Sequence, residues 1–250
     1  MSRDPLIGPK SKIEWAVAHI TDFEKTIHAN QGSSFFSLTV ELNPARTEES
    51  VKLQVKPIPP VFGVMTGNVI YNLRSALDHL ANALVVLGGG TGSSSLHFPI
   101  VRAPDGFETH RSGPKIRKFA PAAWRMMADL QPYKPGYELL GALNALRNLD
   151  AHTSLVDSIR PLYGLARWDP INHRQEMMQV PDWQSIKKGV IISSGLPGTQ
   201  AKQQFEFLVP VGIAFGEIET IKGQSILPTL RQFGDLVKSI VENFERRFFS

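Results

Sequence analysis

Between Val61 and Leu87 the apolar residues Val69, Ile70, Leu73, Leu77, Leu80 and Leu84 recur at intervals of three and four. A helix turns roughly 100° per residue, so this spacing lines them along one side of a single long helix. Such a stripe must be covered by other elements, which predicts a chain built on packed helices. Gly88–Ser95, rich in glycine and serine, ends the helix. The C-terminal segment has the same pattern. Ile226, Leu230, Phe233, Val237, Ile240, Phe244 and Phe248 form a continuous seam on a helix predicted over about Ser225–Phe249, with Pro228 in its first turn. Ile13, Val17, Ile20 and Ile27 predict a first helix over about Lys10–His28. Shorter helices are predicted at Pro121–Leu130 and Tyr137–Asp157.

Two stretches break this helical period. Phe36, Leu38, Val40 and Leu42 alternate with Ser37, Thr39 and Glu41, and Val51, Leu53 and Val55 alternate with Lys52 and Gln54. This period of two predicts a hairpin, closed by Pro57, Pro59 and Pro60. Val190–Ser193 and Phe205–Phe215 are expected as two further strands, with a turn at Gly195–Gly198. Leu96–Val101 is a short apolar extended piece, Asp105–Lys118 a basic irregular stretch interrupted at Gly113 and Pro114, and Trp168–Asn172 a turn. The expected class is α+β: a helical bundle core of about five helices with antiparallel β-segments, residues 1–250 forming a single domain.

Composition narrows the chemistry. The chain has no cysteine, which excludes disulfides, thiolate nucleophiles and Cys-ligated zinc and suits a reducing cytoplasm. Met1–Pro5 is polar, unlike a signal peptide, and no run approaches the roughly 18 apolar residues of a membrane span, so a soluble, cytoplasmic protein is expected. The net charge of +4 is mild, but it is unevenly placed. Residues 102–134 hold seven Lys or Arg against three acids. Arg111, Lys115, Arg117 and Lys118 in that strip are candidates for binding phosphate, with a solvated loop face as the alternative.

Two segments repeat one set of chemical groups. The first holds Asn72, Arg74, Asp78 and His79; the second holds Asn144, Arg147, Asp150 and His152. In each, Arg precedes His by five residues. Arginine stabilises phosphate charge and histidine moves protons near neutral pH. On the second predicted helix Asn144, Asn148 and His152 are four apart and align, opposite Leu143 and Leu146. Arg147 lies about 140° from His152 but has a long side chain, and Asp150 is placed to pair with it. On the first helix Asn72 and His79 share a face, and Arg74 and Asp78 are spaced to pair.

The run Arg147, Asn148 and His152 resembles the motif of the HEPN superfamily (higher eukaryotes and prokaryotes nucleotide-binding domains): an Arg, a polar follower, then a His, within a helical bundle. The resemblance implies metal-independent RNA cleavage, often in toxins or antiviral effectors, with no cofactor. It implies that Arg147 holds the scissile phosphate, Asn148 positions the site, and His152 transfers a proton during attack by the ribose 2′-OH. Arg74 and His79 match the same skeleton, with Ser75 in place of the polar follower. Family sites form across a dimer, one motif per protomer. One chain with two motifs is therefore expected to pack the two helices into a composite site.

Two other readings stay open. In one, the protein is a non-catalytic interaction or structural module: the Arg, Asp and His clusters brace helices as ion pairs, and the C-terminal amphipathic helix makes a homodimer or holds a partner. In the other, the same cleft binds a nucleotide without cutting it. Elsewhere, Gly88–Ser95 looks like a phosphate loop but follows a helix and lacks a Lys, so a connector is expected. Asp78, His79, Asp150 and His152 could hold a metal only if brought together, and none is expected. Trp124–Met127 and Met177–Met178 are taken as packing residues, and His97, His110 and His173 as isolated, with His110 and Arg111 able to touch phosphate from the basic strip.

Overall fold

The computed structural model describes residues 4–29, 36–150, 158–161, 165–169, 174–178, 190–198, 204–206, 211–215 and 218–250. Its helices are α1 (Ile7–Ala29), α2 (Pro60–Leu87), α3 (Pro104–Glu108), α4 (Gly113–Phe119), α5 (Pro121–Asp129), α6 (Glu138–Asp150) and α7 (Ile226–Phe248). Its strands are β1 (Phe36–Leu42), β2 (Glu49–Val55), β3 (Ser158–Pro161), β4 (Leu165–Asp169), β5 (Arg174–Met178), β6 (Val190–Gly195), β7 (Gln204–Glu206) and β8 (Val211–Ala214). The class is α+β with a helical core. Contacts divide the chain into two compact units, each discontinuous in sequence, where the sequence pattern alone predicts a single domain. One is Met1–Phe23, Pro60–Val156 and Phe215–Ser250; the other is Glu24–Pro59 and Asp157–Ala214.

In the first unit α2 is the central helix, packed by α4, α6 and α7. Its stripe is buried as the period predicts: Val69, Ile70, Leu73, Leu77 and Leu80 are inaccessible to solvent. The seam of α7 is buried too, through Leu230, Phe233, Val237, Ile240 and Phe244. That face packs inside its own unit, on α2 and α6, so it is not the free surface for a second copy that sequence alone suggests. On α1 the buried face is Ile13, Ala16, Ile20, Phe23 and Ile27, whereas Val17, expected on it, is 50% exposed. Ala16, inaccessible to solvent, takes the inward position one residue earlier. At Gly8 α1 comes close to α2, for a Cβ there would lie 2.8 Å from His79 Nδ1.

The basic stretch expected to be irregular instead forms two short helices, α3 and α4. Each starts with a proline at its first or second position, as does α5. Proline lacks the N–H that a first turn leaves unpaired anyway, so these prolines begin helices rather than interrupt the chain. Leu96–Val101 is extended but unpaired with any strand, and it buries Leu96, Phe98 and Ile100. Gln131 holds it down. Its side chain, inaccessible to solvent, accepts the Val101 N–H at 3.0 Å and donates to the carbonyls of Pro99 and Met127 at 2.9 and 2.8 Å.

The second unit carries the eight strands found among the described residues. β1 and β2 pair antiparallel as the alternation predicts, with Val40 opposite Val51. In the loop between them Asn43 Oδ1 accepts the N–H groups of Thr47 and Glu48, at 2.9 and 3.3 Å. β6 adds to β2, with a register shift at Val51 and Lys52. The strand expected over Phe205–Phe215 is two strands in different sheets: β7 pairs with β4, and β8 pairs with β3. Trp168 and Asp169, expected in a turn, end β4, which also pairs with β5.

Candidate functional site

Leu73 and Leu77, buried on α2, fix that helix's rotation and leave Arg74 at the edge of the core, 7% exposed. An arginine this buried needs a partner for each part of its planar fork. It has them. Nε donates to Asn144 Oδ1 on α6 at 3.0 Å, Nη2 to the Phe98 carbonyl at 2.9 Å, and Nη1 to Asp78 Oδ1 one turn along α2. Arg74 thus ties α2 to α6 and to the extended segment. Burial pushes its pKa down and Asp78 pulls it back up; a guanidinium stays charged throughout.

Asp78 is the hub. Besides Arg74, its Oδ1 accepts the Phe98 N–H at 2.9 Å, and its Oδ2 lies 3.1 Å from His97 Nδ1. A carboxylate only accepts, so His97 carries a proton on Nδ1 and, when neutral, a lone pair on Nε2. The chain also fixes the backbone of His97, whose N–H donates to Ser112 Oγ at 2.9 Å. Ser112, itself buried, then donates its own N–H to His110 Nδ1 at 3.2 Å. This assigns the remaining proton of His110 to Nε2. Burial lowers the His110 pKa, and Arg111, Arg74 and His97 lower it further, while Asp78 opposes them. His110 is therefore a neutral hydrogen-bond donor.

These groups surround an open cavity of about 250 Å³. Arg74, Asp78, His97, His110 and Arg111 contribute from one side, and Asn144, Arg147 and Asn148 of α6 from the other. Three arginines face one carboxylate, so the cavity is cationic. Arg147 and Asn148 are exposed, and among the described residues the Arg147 guanidinium makes one long hydrogen bond, 3.4 Å to Asn148 Oδ1. Arg147 and Arg111 are the exposed cations of the set, whereas Arg74 is fully engaged.

A second cavity, of about 310 Å³, adjoins the first and shares Arg74, Asp78, His97 and Arg147 with it. His79 lines this second space, with Tyr71, Ser75 and the loop residues Ser93 and Ser94.

The two repeated segments thus meet, through Arg74 and Asn144. Other candidates lie elsewhere. Asn72 accepts from Lys12 Nζ at 2.8 Å and lines neither cavity. Of the four phosphate-binding candidates in the basic strip, Arg111 alone lines the first cavity. Arg117 pairs with Glu108 at 3.0 Å and stacks over Trp124, Lys118 lies over the Phe119 ring, and Lys115 is half-buried away from both cavities. Asp150 is described by its backbone alone, and His152 lies outside the described residues. His97, which sequence reads as isolated, is the most completely oriented histidine of the site. The alternation of Leu96, Phe98 and Ile100 holds the signal, because it turns His97 away from the apolar side.

Among the described residues no group of three or more His, Cys, Asp or Glu is placed to hold a metal, and no helix is long and apolar enough to cross a membrane. Comparison with family models, curated proteins and solved structures finds no match.

Proposed function

We propose that this protein binds RNA and cleaves it without a metal at the cavity between α2, α6 and the 96–112 segment. The observation that carries the reading is the pairing of an Asp78-oriented His97 with the exposed cation Arg147 on one open cavity. Arg147 and Arg111 hold the scissile phosphate, as the HEPN resemblance implies for Arg147. Asn148, beside Arg147, positions it. Nε2 of His97 accepts the ribose 2′-OH proton. The 2′-oxygen bonds to phosphorus, the bond from phosphorus to the 5′-oxygen breaks, and the departing oxygen takes a proton from solvent at the open mouth. The Nε2–H of neutral His110 donates to a phosphoryl oxygen as charge builds on it. Arg74 and Asp78 keep the site in register. The cysteine-free composition suits action in the cytoplasm.

The requirement for a 2′-hydroxyl gives the test. An RNA oligonucleotide should be cut, and the same sequence with 2′-deoxyribose throughout should stay intact. Equal cutting of both, or of neither, would overturn the proposal. One observation favours the bracing alternative: all three guanidinium nitrogens of Arg74 are bonded within the protein, so this arginine acts as architecture. That reading fits Arg74 and leaves exposed Arg147 unexplained.

A further inference from the structure

We infer that the second cavity is a nucleoside subsite, holding the base and ribose next to the phosphate at Arg147. This inference rests on the proposed phosphate site and extends it to substrate recognition. The two cavities share Arg147 and His97, so a phosphate held at Arg147 has one flanking nucleoside directed into each space. The second space is larger, and its walls differ in kind. Tyr71 stands on α2 with 54% of its surface exposed, an aromatic ring without an aromatic partner among the described residues. Lys12 Nζ lies over one face of the ring, 5.7 Å from its centre, without lining the cavity itself. A base stacks on such a ring whatever its identity, because every base has a π-face.

The rest of the lining is polar, with Ser75 and His79 on the same face of α2 as Tyr71 and Ser93 and Ser94 on the loop. Asn82 Oδ1 accepts the Ser93 N–H at 2.7 Å, while its Nδ2 donates to the carbonyls of Asp78 and Leu96 at 3.1 and 3.3 Å. The bonds to Ser93 and Leu96 hold the glycine–serine loop against α2, and the bond to Asp78 stays within the helix. Ser94 and Ser75 are left with hydroxyls free of protein partners among the described residues, and His79 is exposed. An aromatic ring, hydroxyls and an imidazole lining the space that the Arg147 guanidinium also lines match a nucleoside rather than a bare anion. The loop that resembles a phosphate-binding loop in sequence takes part here as a wall for the nucleoside, with Arg147 supplying the charge.

Binding of two probes, inorganic phosphate and uridine 3′-monophosphate, to the intact protein by calorimetry separates this subsite from the phosphate site. The nucleotide should bind on the order of ten- to a hundredfold more tightly than phosphate, the range for one base on one aromatic ring. Tyr71→Ala should erase that advantage and leave phosphate affinity unchanged, Tyr71→Phe should retain it, and Arg147→Ala should weaken both probes. Equal affinity of the two probes, or an advantage that survives Tyr71→Ala, overturns the subsite and leaves the phosphate site standing. Failure of both probes to bind overturns the phosphate site and the subsite with it.

Discussion

Replacing Asp78 with Asn separates architecture from chemistry at this site. The carboxylate accepts from Arg74, from the Phe98 backbone and from His97. The amide keeps the shape and removes the charge, leaving Arg74 at 7% exposure without an anion. Breaking a fully buried pair costs about 3–5 kcal/mol. The Asp78 side chain is 22% exposed and the amide oxygen still accepts, so the expected loss is smaller, about 2–3 kcal/mol. Urea denaturation measures it. The rate should fall further than stability explains. With the amide oxygen kept toward Arg74 and Phe98, the NH₂ group faces His97 and donates to Nδ1. The imidazole proton then moves to Nε2, and the base is lost. Cleavage at saturating RNA should drop on the order of 10²- to 10⁴-fold. His97→Ala should match that drop at little cost in stability, and the double variant should be no slower than either single one. A stability loss under about 0.5 kcal/mol would mark the pair as an ordinary surface ion pair, and additive rate effects would refute the coupling of Asp78 to His97.

Three further outcomes test the supporting structure. Gln131→Leu should cost roughly 3 kcal/mol in urea denaturation, because it leaves the buried Pro99 carbonyl and the part-buried Val101 N–H without the Gln131 side chain. Gly88→Ala should destabilise by at least about 2 kcal/mol, since its Cβ would fall 1.7 Å from the Phe119 carbonyl oxygen, and backbone cannot easily give way. The His110 pKa is lowered in the folded protein, so between that value and the unfolded value of about 6.5 the unfolded chain binds more protons. Stability should therefore fall as pH drops below about 6.5 and be unaffected by this group above it. His110→Gln should flatten that part of a stability–pH profile; an unchanged slope would refute the assignment.

The helices were legible because each carries its own period. Leu73, Leu77 and Leu80 place α2 to within a residue at its start, and the same stripe leaves Arg74 and Asp78 where they can pair. The joining of the two repeated segments could be posed from sequence, but not its chemistry. Asn144 reaches Arg74 across 70 residues, and His97 reaches Asp78 only because the Gly88–Ser95 loop turns the chain back along α2. Pairings of that kind leave no local spacing to read. The second unit was harder for the same reason. β3 is four residues long, and Ser158 pairs with Ala214 far along the chain, so neither strand has a period long enough to declare itself. The prolines at 104 and 114 misled in another way: proline marks both helix starts and helix breaks, and only the paired carbonyls that follow decide between them.

The central claim is that Arg147 and His97 cleave an RNA phosphodiester without a metal. Its most direct test is the product end formed in excess EDTA by the purified protein and by its Arg147→Ala and His97→Ala variants. The unaltered protein should leave a 2′,3′-cyclic phosphate, and each variant, folded by circular dichroism, should leave the RNA intact. Uncut RNA with the unaltered protein, or equal cutting by all three, would contradict it.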